Sequence, residues 1–153
     1  MGFDAKNVIA QIKFIDSRIL KLKLDNNLPL SQKIVDFECR IDYSLGEILH
    51  AGKELQGTVT LTLSVSSKEK RKNIFSLQID IEGAFSCDDE MAHDMFVRFL
   101  SINGVSMLYS IARTNIITIT GLSYPGATIR IPMINIAALN EAKAKNPERN
   151  VNV

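Results

Sequence analysis

A chain of 153 residues, 46% hydrophobic and 23% charged, is long enough to bury a core without disulfides or metals. Its 18 Lys and Arg against 17 Asp and Glu leave a net charge of +1, which excludes the basic footprint of a nucleic-acid binder and any polyanionic tail. So small a charge also gives little colloidal repulsion, and exposed apolar surface would favour association.

The opening Met1-Gly2-Phe3-Asp4-Ala5-Lys6 has no basic region followed by an apolar one, so no secretory signal is expected. Four runs of alternating polarity follow. Ile19–Asp25 sets Leu20, Leu22 and Leu24 against Lys21, Lys23 and Asp25. After a crossover that contains Pro29, Val35, Phe37, Cys39, Ile41 and Tyr43 oppose Asp36, Glu38, Arg40 and Asp42. Val59, Leu61, Leu63 and Val65 oppose Thr58, Thr60, Thr62 and Ser64. Phe75, Leu77, Ile79 and Ile81 oppose Ser76, Gln78, Asp80 and Glu82. One apolar and one polar face per strand is the pattern of an antiparallel sheet covered on one side. Ser66–Asn73 reads as a polar hairpin loop between the last two runs, and Gly46–Gln56 links the second and third.

After Phe85 the period changes. Ser86-Cys87-Asp88-Asp89-Glu90 offers capping and acidic first-turn residues, and Met91, Met95, Phe96, Phe99 and Leu100 recur at helical spacing. Asn103-Gly104 interrupts. A second helix then carries Val105, Leu108, Tyr109, Ala112, Ile116 and Ile119 on one face, with Met107 and Ile111 as a second apolar stripe. A helix apolar on two sides is buried on two sides, and a subunit partner is the natural second cover. The β-branched run Ile116–Thr120 fits helix or strand equally well. Gly121–Pro132 is a loop with a turn at Pro125-Gly126, Asn135 is an N-cap, and a last helix covers Ile136 to about Lys145. The expected fold is α+β, a four-stranded antiparallel sheet with helices packed on one face. It forms a single domain over 1–153, with a core from about 15 to 145 and a flexible tail over 146–153.

Catalytic chemistry finds no support. His50 and His93 lack ligand partners at metal spacing, and no HExxH, CxxC, GxSxG, GxGxxG or GxxxxGK[ST] occurs. Asp88-Asp89-Glu90 reads as a solvated helix start, and Lys68–Lys72 as a hairpin tip without aromatic residues for base stacking. Cys39 and Cys87 read as buried thiols in a reducing cytoplasm. The apolar stretch Val105–Thr120, broken by Ser110, Arg113, Thr114 and Asn115, is too short and polar to span a bilayer. The expectation is a cytoplasmic non-enzyme with no cofactor and no metal. What remains is apolar surface on loops, Leu28 and Leu30 beside Pro29 and later Leu122, Tyr124 and Ile129, suited to binding other polypeptides. An apolar sheet–helix interior that holds a lipid or small ligand is the rival from a different class.

The order of elements resembles the SecB export-chaperone family. Glu82-Gly83-Ala84-Phe85-Ser86 looks like that family's glycine-phenylalanine strand end, with Met91-Ala92-His93 following at a similar interval. Ala112-Arg113 sits where the family's long helix has a tyrosine-alanine-arginine run, Ile111 replacing the tyrosine. Pro132-Met133-Ile134-Asn135-Ile136-Ala137-Ala138-Leu139 is similar to its approach to the last helix. The likeness covers roughly Ile15 to Asn140. It implies ATP-independent capture of unfolded polypeptides, with groove candidates Leu28, Leu30, Phe37, Tyr124 and Ile129 beside the free edge of the second strand. It also implies a homotetramer, a dimer of dimers joined through the long helices, with Val105, Met107 and Ile111 as interface candidates. Lys21 and Lys23 stand where the family carries acidic residues that dock the SecA motor, so export delivery carries over less well than chaperone binding. A dedicated chaperone of one partner, such as an antitoxin, is the alternative that this departure suggests.

Overall fold

The computed structural model describes residues 12–29, 36–123, 129–146 and 151–152. In chain order the elements are β1 (Lys13–Asn26), β2 (Glu38–Leu45), β3 (Leu49–Ala51), β4 (Glu54–Glu69) and β5 (Lys72–Asp88). Then come α1 (His93–Phe99), a π-helical segment (Leu100–Gly104), α2 (Val105–Ser123), α3 (Ile136–Lys145) and β6 (Val151–Asn152). The strands form one antiparallel sheet in the order β1-β5-β4-β2-β6, with short β3 paired to the start of β4.

The alternation read from the sequence is the alternation of the sheet. Leu55, Val59, Leu61, Leu63 and Val65 of β4 are buried, as are Phe75, Leu77, Ile79, Ile81 and Phe85 of β5. Their Thr, Ser, Gln, Asp and Glu neighbours on the other face are half-buried. Strands reach further than the strictly alternating windows. Ser66–Asn73 is not a loop, because pairing continues to Glu69↔Lys72 and the chain reverses at Lys70-Arg71. Both turn residues have left-handed φ, 48° and 69°, the conformation that a two-residue hairpin with the sheet's own twist requires.

The helical half is one run rather than two. From His93 to Leu122 the chain is helical for 30 residues, long and apolar enough by those measures to cross a membrane. It lies instead with one side on the sheet. Asn103-Gly104 does not break it; the π-helical segment absorbs the irregularity and Gly104 faces Val59 and Phe85. Ile116–Thr120 is helix. Close approach needs glycine on the strands. A Cβ at Gly57 would stand 2.8 Å from Leu100 Cδ1, and one at Gly83 would stand 2.7 Å from Leu108 Cδ2. The acidic cluster does not cap the helix: Asp88 closes β5 and accepts the Glu90 N–H, while Ala92 holds the N-cap position. Asn135 does cap α3, its side chain accepting the Ala138 N–H at 3.1 Å.

β1 is the exception to burial. Phe14, Ile19, Leu22 and Leu24 lie opposite Phe85, Ile81, Ile79 and Leu77, on the face that α2 covers farther along the sheet. The register shifts at Ile15 and at Leu20. The second bulge puts Ile19, not Leu20, in line with Leu22 and Leu24. Among the described residues the helix packs on β4 and β5, and the six large apolar side chains of β1 are 39–51% exposed.

Candidate functional site

Both ends of the crossover between β1 and β2 are fixed at the hairpin end of the sheet. The Asn27 N–H donates to Ile74 O at 2.9 Å, and Ser67 Oγ donates to Asp36 O at 2.7 Å. Ser67 stands opposite Phe75 in the sheet, so the two anchors are near neighbours. Leu28, held by its N–H on Asn26 Oδ1, follows the first anchor, and Phe37 follows the second just before β2; each is half-buried against the core. They flank the crossover on opposite sides of the β5–β4 pair, so the fold holds each against the core without bringing the two together. Leu30 and Tyr124 lie outside the described residues.

Ile129 has a different place. It is 4% exposed, and its N–H donates to Thr120 Oγ1, whose own hydrogen serves the Ile116 carbonyl at 2.8 Å. The residue seals the last turn of α2 and belongs to the core, so it offers no contact surface. The following chain is tied along the helix, Arg113 Nε donating to Ile131 O at 2.7 Å and Tyr109 Oη to Pro132 O.

The interface candidates divide similarly. Val105, the first residue of α2, is fully buried within the subunit and has nothing left for a partner. Met107 is 41% exposed, whereas Ile111 is half-buried and packed against the core. The outward stripe is Asn103, Met107, Ser110, Thr114, Thr118 and Leu122, without a charge. Its hydroxyls are turned inward: Ser110 donates to Ser106 O, Thr114 to Ser110 O and Thr118 to Thr114 O, each at 2.9–3.1 Å. Such a face can be buried without stranding a donor. In α2, 19 residues long, Arg113 is the lone charged side chain, and it bonds inward. A solvated helix face ordinarily carries charges.

The β2 edge is occupied at two points by chain that follows it. Val151 and Asn152 pair antiparallel with Ile41 and Arg40. Lys143, in the last turn of α3, donates to the Tyr43 carbonyl and to the Asp42 carboxylate, and lies 4.5 Å from the centre of the Tyr43 ring. Tyr43 Oη donates to Asn140 Oδ1, and Asn140 Nδ2 donates to Ser101 O, so α3 is locked to both the sheet and the π-helical segment.

Both cysteine thiols and the Tyr109 phenol are held toward their protonated forms. Burial pushes the Cys39 thiol up to about 11, and burial, then the Asp88 and Glu54 carboxylates, raise Cys87. Thiols held protonated are poor nucleophiles. Burial likewise takes the Tyr109 phenol up to about 12. The layer between sheet and α2 is filled by Leu61, Leu63, Leu77, Ile79, Leu108, Ala112 and Ile116, all with no accessible surface. A 240 Å³ depression lined by Lys23, Arg40, Ser64, Lys68 and Gln78 lies on the polar face, where the lining does not suit a lipid chain.

The exposed stripe of β1 and the capped β2 edge escaped the sequence reading. Alternation marks which side chains share a face, but not how far a helix extends over that face. Two residues after a polar stretch carry no strand pattern at all.

No protein-family model matches the chain, and no curated protein matches it in sequence. Among solved structures it is similar to the SecB-like chaperone Rv1957 of Mycobacterium tuberculosis, determined in complex with a ChAD peptide from the HigA1 antitoxin. The two share 12% identity and superpose with a TM-score of 0.60 over 84% of this chain and 92% of that one. With its antiparallel sheet, crossover after the first strand and long covering helix, this chain has the SecB-like chaperone fold.

Proposed function

We propose that this protein is an ATP-independent holdase that captures non-native polypeptides and that it works as a homo-oligomer. The observation that carries the reading is Phe37, a half-buried apolar side chain just before β2, beside the outer edge of a strand that β6 meets at Arg40 and Ile41. Apolar contacts tolerate many sequences, and a strand edge offers backbone hydrogen bonds to any extended chain. Together they select for unfolded polypeptide rather than for one sequence. The fold shared with a peptide-binding chaperone supports this.

Self-association accounts for two surfaces that the described residues leave exposed, the apolar β1 stripe and the uncharged outer face of α2. Long flat apolar edge strands are a liability unless covered. Two unlike faces of this kind suit a dimer of dimers. Delivery to SecA does not follow from the surface: Lys21 and Lys23 are exposed where the resemblance places acidic docking residues.

A second reading, a chaperone dedicated to one partner, is favoured by the antitoxin peptide in the similar structure. Co-purification separates the two: one recurrent small partner supports dedication, and a broad mixture supports general capture. For capture itself, a chemically unfolded client should stop aggregating at near-stoichiometric ratio without nucleotide. No suppression at several-fold excess would exclude the holdase.

A further inference from the structure

The β4–β5 hairpin ends in a turn that its residue types do not favour. Lys70 and Arg71 hold left-handed φ of 48° and 69°, where asparagine and glycine are the usual occupants. A side chain with a Cβ is strained there, and such strain persists where another demand outweighs it. What the sequence places there instead is charge: Lys68, Lys70, Arg71 and Lys72 surround the single carboxylate of Glu69. Pairing to Glu69↔Lys72 carries this tip past the neighbouring strands, since β1 last meets β5 at Asn26↔Phe75 and β2 first meets β4 at Glu38↔Ser66.

A depression of 240 Å³ continues from the tip onto the polar face of the sheet, lined by Lys23, Arg40 and Lys68 with Ser64, Ser76 and Gln78. Lys23, Gln78, Ser64 and Arg40 form one row across β1, β5, β4 and β2, so cations stand at both sides and an amide and a hydroxyl make the floor. No carboxylate among the described residues lines the depression. In the next row toward the tip, Asp25 and Glu38 take the outer places, pairing with Lys23 at 3.6 Å and Arg40 at 3.4 Å. These ion pairs are exposed and therefore weak, so an incoming anion can share their cations. Both described ends of the crossover pack on the opposite face, Leu28 and Phe37 against the core.

We propose that this depression and the hairpin tip together dock an acidic, extended polypeptide segment, on a surface separate from apolar capture and independent of it. From Ser64 to Glu69 the hairpin runs about 17 Å, and an extended chain repeats a side-chain direction about every 7 Å. A segment with a carboxylate at every second residue therefore meets the tip cations and Lys68 at one end and Lys23 and Arg40 at the other. The hydroxyls of Ser64 and Ser76 and the Gln78 amide add donors for carboxylate oxygens. A nucleic acid suits the surface less well. Its charge on every unit is repelled by Asp25 and Glu38, and no aromatic side chain among the described residues lines the depression for bases to stack on.

The probe is a short, fluorescently labelled peptide of alternating glutamate and serine, titrated against the full chain at low salt. Lys23→Gln/Arg40→Gln/Lys68→Gln removes the charges of the depression. Lys70→Asn/Arg71→Gly removes two at the tip while supplying the residues that the turn prefers. The substituted side chains are exposed, and thermal melting confirms that both variants fold. The natural chain should bind the probe, high salt should abolish the binding, and each variant should bind about tenfold more weakly. The tip variant should also melt about 2–4 °C higher, because glycine relieves the left-handed turn. Equal binding by the natural chain and either variant overturns the proposal, as does no binding by the natural chain. A single-stranded oligothymidine of the same length that binds more tightly than the peptide overturns it in favour of a nucleic-acid surface. The probe has no apolar residue, so its binding and the capture of unfolded clients succeed or fail separately.

Discussion

Replacing Ile19 and Leu22 with serine tests whether the open stripe of β1 is a contact between subunits. The two side chains are 47% and 50% exposed in the subunit, so about half of each already lies against the sheet. Full burial of such a side chain is worth about 1.5–3 kcal/mol, and covering the remaining half contributes about 1 kcal/mol. Two residues on each of two subunits then contribute about 4 kcal/mol to a symmetric contact, a factor of about a thousand in its dissociation constant. The cost to the subunit itself is about 1–2 kcal/mol, because only the half already buried is lost. Light scattering across a dilution series should therefore show the variant dissociating at concentrations where the natural protein remains assembled. Circular dichroism should show both still folded. A folded variant whose mass matches that of the natural chain at every dilution would refute the assignment of β1 to an interface.

The helix–sheet contact gives a sharper stability test: Leu108→Ala empties a fully buried site against Gly83 and should cost about 2–5 kcal/mol in denaturant titration. Asn135→Ala removes the cap of α3 and should cost about 1 kcal/mol by the same measurement. Alkali should destabilise the fold, since the Cys39 thiol rises from 9.0 to about 11 and the Tyr109 phenol from 10.0 to about 12 on folding. The folded state keeps these protons longer, so their stabilisation is complete below about pH 9 and is lost as pH rises through about 11 to 12. Melting temperature followed from pH 8 to 12 should fall over that window, and Cys39→Ala should make the decline shallower between pH 9 and 11.

Much of the fold was legible because its signals are local. Period-two alternation in β2, β4 and β5 identified both the strands and the buried face, since those strands have helix above them. Asn135 and the helix it begins were readable for the same reason: a cap is a contact between near neighbours. The errors lie where a distant contact decides. Leu20 was placed in line with Leu22 and Leu24, but a bulge substitutes Ile19, and no local pattern announces an extra residue. Ile129, apolar beside a proline-glycine loop, resembled displayed surface, yet Thr120 draws it into the end of α2. Val105 belonged to the sheet-facing stripe and is fully buried, which leaves Met107 as the interface candidate that is exposed. Lys143 is one of many lysines in the sequence; only α3 docking against Tyr43 gives it an edge to cap.

The most direct test of the account is equilibrium binding of one polypeptide in two states. A labelled protein that can be held folded or permanently unfolded is titrated with this chain by fluorescence anisotropy, with and without ATP. The account predicts saturable binding to the unfolded form, none to the folded form and no effect of nucleotide. Equal binding to both forms, or binding that requires ATP, would contradict it.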